Sequence, residues 1–157
     1  MSTSLKPGDK APAFSLPDQT GKVHKLAEAK GKWVLLYFYP KDDTPGCTTE
    51  ACTLRDNFPA FGKLGAVVYG VSADSTKSHT KFAEKYELPF TLLSDEAKEV
   101  TKAYGVWGPK KFMGREFLGV RRWSFLIDPK GNIAKVYDKV KPAAHAEEVL
   151  ADIKSLS

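Results

Sequence analysis

The chain has 157 residues, the length of one domain rather than two, and its 42% apolar and 27% charged residues exclude disorder over most of that length. No apolar run approaches the roughly 20 residues that cross a bilayer, the N-terminus lacks the apolar core of a secretory signal, and two cysteines are too few for a disulfide scaffold. A net charge of +5 permits anionic partners without requiring them.

The expectation is a soluble, cytoplasmic, single domain over residues 1–157. In chain order, Lys22-Val-His-Lys-Leu follows a turn signal at Asp18-Gln-Thr-Gly and reads as a short strand or hairpin arm. Trp33 to Tyr39 is uninterrupted apolar and aromatic, which suits a strand covered on both faces. From Thr44 onward, Ala51, Leu54, Phe58 and Phe61 fall on one helical face. Ala66 to Ser72 is a second buried strand, and Asp74-Ser75 opens a helix marked by Phe82, Ala83 and Tyr86. Ser94-Asp95-Glu96 offers a cap and first-turn acids to a helix through Ala97, Val100, Ala103 and Tyr104. Gly105 to Gly119, with four glycines and one proline, reads as a long loop. Trp123 to Asp128 is a third strand, and Asp128-Pro-Lys-Gly-Asn turns it into a hairpin partner, Ile133 to Tyr137. Ala146, Val149, Leu150, Ile153 and Leu156 mark a C-terminal helix. Strands alternating with helices predict an α/β three-layer sandwich, a sheet with helices on both sides.

The basic residues give little more. Lys and Arg are interleaved with Asp and Glu, and the densest stretch, Lys110-Lys111 through Arg115 to Arg121-Arg122, is only loosely clustered. It reads as solvated surface, with no nucleic acid as partner.

Chemistry points instead to Tyr39-Pro-Lys-Asp-Asp-Thr-Pro-Gly-Cys-Thr-Thr-Glu-Ala-Cys, where a buried strand gives way to a helix. Ligands gather at the carboxyl ends of strands in α/β sheets. Cys47 falls in the first helical turn, where free N–H groups and the helix dipole favour an anion, which for a cysteine is its own thiolate. Two readings remain open for it: an activated nucleophile, or a small buried hydrophobe aligned with Ala51 and Leu54.

Cys52 lies five residues on. In an intact helix the two Cα atoms stand roughly 8–9 Å apart, whereas a disulfide needs about 4.4–6.8 Å. Either the two sulfurs never pair or the helix unwinds when they do. Pro59 removes one helical hydrogen bond further along. The spacing differs from the C-x-x-C of a protein-disulfide oxidoreductase. Zinc needs two more ligands, and His24, His79 and His145 have no ligand spacing; each reads as a surface residue.

Pro40, Thr44 and Cys47 form the pattern Pro-x3-Thr-x2-Cys, in which the sequence resembles the peroxiredoxins. Tyr37-Phe-Tyr-Pro, Thr44-Pro-Gly-Cys, Phe90-Thr-Leu-Leu-Ser-Asp, Gly105-Val-Trp-Gly and Ser124-Phe-Leu-Ile-Asp are similar to the bacterioferritin comigratory protein, or PrxQ, branch. The likeness runs from Leu5 to Ile153. It implies a thioredoxin-like sandwich with a central mixed sheet and an N-terminal peroxiredoxin extension. It also implies a thiol-dependent peroxidase for hydrogen peroxide or small organic hydroperoxides, in antioxidant defence, with no metal, flavin or haem. Residue by residue, Cys47 resembles the peroxidatic cysteine that becomes a sulfenic acid. Thr44 resembles the hydroxyl that bonds substrate and thiolate, and Pro40 the residue that shields the site from water. Arg122, two residues before Ser124-Phe125, resembles the active-site arginine in preference to Arg121, and Glu50 the acid that positions it. Cys52 matches the resolving cysteine of members carrying C-x4-C, which implies a Cys47–Cys52 redox disulfide. The resemblance further implies thioredoxin or a similar dithiol as reductant, and a monomer.

These residue types suit that chemistry. Attack on an O–O bond moves charge from sulfur to the departing oxygen, and a guanidinium stabilises both ends without deprotonating. A sulfenic acid condenses with a nearby thiol, here only after the helix opens. Taken singly, Thr44 is a helix cap, Arg122 a surface or ion-paired arginine, Glu50 a dipole partner, and Trp33, Trp107 and Trp123 packing residues. A protein-disulfide oxidoreductase and a non-enzymatic basic binding domain are the competing functions. The missing C-x-x-C counts against the first, and the absence of aromatic-basic interleaving against the second.

Overall fold

The computed structural model describes residues 5–157; residues 1–4, where the stretch lacking a secretory signal begins, lie outside the described residues. β1 (Ser15–Pro17) and β2 (Val23–Lys25) pair antiparallel around a turn in which the Asp18 carboxylate accepts from the N–H groups of Thr20 and Lys22. A 3₁₀ turn (Leu26–Ala29) leads into β3 (Trp33–Phe38). There follow α1 (Pro45–Lys63), β4 (Ala66–Ser72), α2 (Thr76–Tyr86) and β5 (Thr91–Ser94). The remainder is α3 (Glu99–Ala103), β6 (Trp107–Phe112), β7 (Arg115–Val120), β8 (Ser124–Ile127), β9 (Ile133–Tyr137) and α4 (His145–Leu156).

The central sheet has the order β5-β4-β3-β8-β9. β3, β4 and β5 run parallel, while β8 and β9 are antiparallel to their neighbours, which makes the sheet mixed. β3 is apolar without interruption because both its faces are covered. Leu35 and Tyr37 meet a core built with Cys47, Ala51, Leu54 and Phe61 of α1, Phe82 of α2 and Val149 and Ile153 of α4. Val34, Leu36 and Phe38 meet the opposite core, with Phe14, Leu16, Val100, Tyr104 and Val106. This is the expected α/β, thioredoxin-like arrangement, with the β1–β2 hairpin and 3₁₀ turn as the N-terminal addition.

Three local expectations need correction. Gly105 to Gly119 is a β6–β7 hairpin, not a loop. Met113 and Gly114 both take positive φ, 52° and 79°, so two residues reverse the chain in a turn whose twist matches the strands. Pro109 is tolerated because β6 pairs on one side only, with β7. The helix expected after Ser94 shrinks to Glu99–Ala103, since Lys98 adopts a left-handed φ of 62°. There the Asp95 carboxylate accepts from the Thr101 N–H and hydroxyl at 2.7 and 2.6 Å. Finally, Leu156 ends α4 exposed rather than buried.

Candidate active site

β3 and the turn at 39–44 deliver the chain to α1, which Pro45 opens at a position where a missing N–H costs nothing. Cys47 is the third residue of α1 and is 1% exposed. Thr44 stands just before the helix, half-buried, but does not cap it; its hydroxyl donates to the Lys41 carbonyl at 2.8 Å. Pro40, also half-buried, lies at the exit of β3.

Arg122 comes from the other end of the chain. β8 runs antiparallel to β3 with Ser124 opposite Tyr37, so the residues entering β8 lie where β3 ends. Two backbone bonds fix that segment: Phe38 N–H to the Trp123 carbonyl, and Arg121 N–H to the Val106 carbonyl, both 2.8 Å. Arg122 Nη2 then donates to Cys47 Sγ at 3.3 Å and Nη1 to Glu50 Oε1 at 2.9 Å. Arg121 turns away, with Nη2 3.4 Å from the Pro109 carbonyl. The guanidinium passes so close to α1 that a Cβ at Gly46 would stand 2.9 Å from Nη2.

Glu50 is fully buried, one turn beyond Cys47 on the same helix face. Burial pushes its carboxyl up to about 7, overcoming the pull of Arg122 in the opposite direction. Its second oxygen, Oε2, has no protein partner among the described residues. Burial works against the charge on Arg122, yet the Cys47 sulfur and Glu50 hold the guanidinium above the ordinary arginine range.

Two further groups face this cluster without any signal in the sequence. Lys110 of β6 donates to the Val120 carbonyl at 2.9 Å, and burial, then repulsion from Arg122, lowers its pKa while Cys47 opposes the change. The Tyr37 hydroxyl is buried and unpartnered among the described residues; burial, then the charges of Glu50 and Cys47, raise its pKa far above the ordinary value.

Cys52 is half-buried and, like Cys47, a free thiol, and α1 runs unbroken through both. Pro59 sits inside the same helix. The histidines differ from their surface reading: His79 and His145 are buried and His24 is half-buried. Burial is possible because both nitrogens of each buried ring find partners, Asp42 and the Leu93 carbonyl for His79, Glu148 and Ser124 for His145.

Known proteins of the same kind share this frame. A model of the AhpC/TSA family matches residues 7–136. Peroxiredoxin Bcp of Bacillus subtilis is 47% identical over 154 residues, 98% of both chains. Peroxiredoxin Bcp of Escherichia coli is 51% identical over 150 residues, 96% of both. Among solved structures, PrxQ of Xylella fastidiosa superposes with a TM-score of 0.93 at 34% identity, covering 99% of both chains. Peroxiredoxin Q of Xanthomonas campestris does so at 0.87 and 38% identity, over 99% of this chain and 98% of that one. On this full-length likeness the chain belongs to the AhpC/TSA family, in the Bcp/PrxQ branch of the peroxiredoxins, and is a thiol-dependent peroxidase.

Proposed function

We propose that Cys47 is the sulfur that attacks the peroxide and Cys52 the one that resolves it. The observation that carries this reading is the single guanidinium donating both to Cys47 Sγ at 3.3 Å and to Glu50 at 2.9 Å. In the first step the Cys47 thiolate forms an S–O bond to the terminal peroxide oxygen as the O–O bond breaks, and the hydroxide or alkoxide leaves with a proton as water or alcohol. Arg122 is the catalytic cation, stabilising charge as it passes from sulfur to oxygen. Glu50 holds the guanidinium in that orientation. The Thr44 hydroxyl gives its hydrogen to Lys41, so its lone pairs face the task of accepting from the peroxide O–H. Pro40 covers the sulfur from water.

In the second step the Cys52 thiol displaces water from the Cys47 sulfenic acid, giving the Cys47–Cys52 disulfide. That bond needs α1 to melt locally, because an intact helix holds the two Cα atoms roughly 8–9 Å apart. A dithiol of the thioredoxin kind then returns both thiols. The substrates are hydrogen peroxide and small organic hydroperoxides; a Xanthomonas campestris bacterioferritin comigratory protein, 38% identical, is described for its alkyl peroxide reduction. The protein works as a cytoplasmic monomer. Among the described residues no helix is long and apolar enough to cross a membrane.

One equivalent of hydrogen peroxide tests the scheme. Reduced protein should lose two thiols rapidly without forming dimers, and Cys47→Ser should consume no peroxide. Cys52→Ser should react once and stop at a sulfenic acid or an intermolecular disulfide. Thiol loss at the bulk rate of free cysteine, or full turnover by Cys47→Ser, would refute the assignment.

A further inference from the structure

The turn that delivers Cys47 is gripped from behind by a buried cluster that the peroxide chemistry does not touch. The Asp42 carboxylate accepts from the Tyr39 hydroxyl on Oδ1 at 2.6 Å. Its Oδ2 accepts from Ser78 Oγ at 2.8 Å and meets His79 Nδ1 at 2.6 Å. His79 is fully buried, and its Nε2 lies 2.9 Å from the Leu93 carbonyl. A carbonyl oxygen only accepts, so Nε2 carries a hydrogen. The short Nδ1 contact therefore requires one further proton between ring and carboxylate, since two lone pairs would repel. The result is an enclosed, short hydrogen bond between ring and carboxyl group, shielded from water.

The grip extends in both directions. The Asp42 N–H donates to Asp74 Oδ2 at 2.8 Å, and Ser72 Oγ holds the same oxygen from the end of β4 at 2.7 Å. One residue on, the Asp43 carboxylate accepts from Lys85 Nζ and the Tyr86 hydroxyl, in the last turn of α2, at 2.8 and 2.7 Å. α2 thus holds two consecutive aspartates of the turn, one from its first half and one from its end. Asp42, Asp74 and His79 bring ligand-type atoms within 4.8 Å of one another, but the two ring nitrogens and both Asp42 oxygens are engaged by the protein. The cluster is built as a clamp.

We propose that His79 is a positioning residue for the peroxide step, acting through Asp42 on the turn that carries Pro40 and Thr44 and launches α1. The proposal rests on Cys47 being the attacking sulfur. The Thr44 hydroxyl is anchored to the carbonyl of Lys41, the residue next to Asp42, and the Thr44 carbonyl accepts from the Thr48 N–H at 2.8 Å. A shift of Asp42 therefore passes to both the substrate hydroxyl and the first turn of the helix. The two sulfur steps ask opposite things of this segment: attack needs the turn set, and disulfide formation needs α1 open. Releasing the clamp slows the first and does not slow the second.

Stopped-flow tryptophan fluorescence of the reduced full chain with excess hydrogen peroxide separates a peroxide-dependent phase from a peroxide-independent one. Loss of both phases in Cys47→Ser is the check on the underlying reading; their survival there overturns that reading and the proposal with it. His79→Leu is expected to slow the first phase roughly 10- to 100-fold, with the second phase unchanged or faster. His79→Gln, which restores one donor, recovers part of the loss, and Tyr39→Phe, which removes one bond to Asp42, shows a smaller effect in the same direction. Ile133→Ala, on the opposite core, reports the effect of lost stability alone. An unchanged first phase in His79→Leu, or both phases slowing together as in Ile133→Ala, overturns the proposal. Should His79→Leu fail to fold, Tyr39→Phe and His79→Gln carry the same comparison.

Discussion

Gly46 shows how one side chain would disturb the site without harming the fold. A methyl group there would stand 2.9 Å from Arg122 Nη2, closer than folded proteins allow, and the flexible guanidinium would have to yield. Gly46 does not use a positive φ, and helix interiors favour alanine over glycine by about 1 kcal/mol. Gly46→Ala should therefore keep or raise the melting temperature while lowering the rate constant for peroxide roughly 10- to 100-fold. Arg122→Lys separates charge from shape. A single ammonium cannot reach Cys47 Sγ and Glu50 Oε1 as a fork, so the same rate constant should fall roughly 100-fold with the positive charge retained. Both are read by stopped-flow against a thermal melt; equal losses in the two measurements would indicate unfolding instead.

At the scale of elements, the proposed Cys47–Cys52 disulfide would make α1 both scaffold and moving part. Its first two turns hold Cys47, Glu50 and Cys52, and its later turns pack Leu54 and Phe61 into the core. Oxidation with one equivalent of peroxide should raise amide exchange over residues 45–52 while β3 and β4 stay protected. Unchanged exchange across α1 would mean that the two sulfurs do not pair. The same element explains what could be read in advance. β3, β4 and β8 announce themselves as apolar runs because each is buried on both faces. β1, at three residues, is too short to show a period, β5 is a short strand at the sheet edge, and the β6–β7 hairpin hides behind glycines that suit loops. Cys47, Thr44, Glu50 and Arg122 were legible through motifs that sit close together or beside a marked strand. Lys110, Tyr37 and the Asp42–His79 pair were not. Their partners lie across the fold, and no local pattern records a contact made 37 residues away.

For the molecule as a whole, the buried Glu50 ties stability to pH. Its carboxyl rises from an ordinary 4.5 to about 7 because burial disfavours the charge. Between those values the folded chain keeps a proton that the unfolded chain has released. This contribution is therefore full below pH 4.5 and is lost as pH climbs through about 7, by an amount on the order of 3 kcal/mol. His145, held neutral by burial, works in the opposite sense near its ordinary 6.5. Asp18 and Asp152, held low by hydrogen bonds against the cost of burial, act below about 3.8. Comparing urea midpoints of wild type and Glu50→Gln from pH 4.5 to 8 isolates the Glu50 contribution. The declining slope should vanish in the variant, and a slope equal in both would assign the effect elsewhere.

The guanidinium that reaches Cys47 Sγ comes from a residue 75 positions downstream, in the segment entering β8, the strand inserted between β3 and β9. During synthesis Cys47 therefore leaves the ribosome well before Arg122, its guanidinium partner. A chain truncated after Val120 should react with peroxide no faster than free cysteine. On the proposed chemistry, reactivity toward peroxide then arises only when β8 has joined the sheet beside β3.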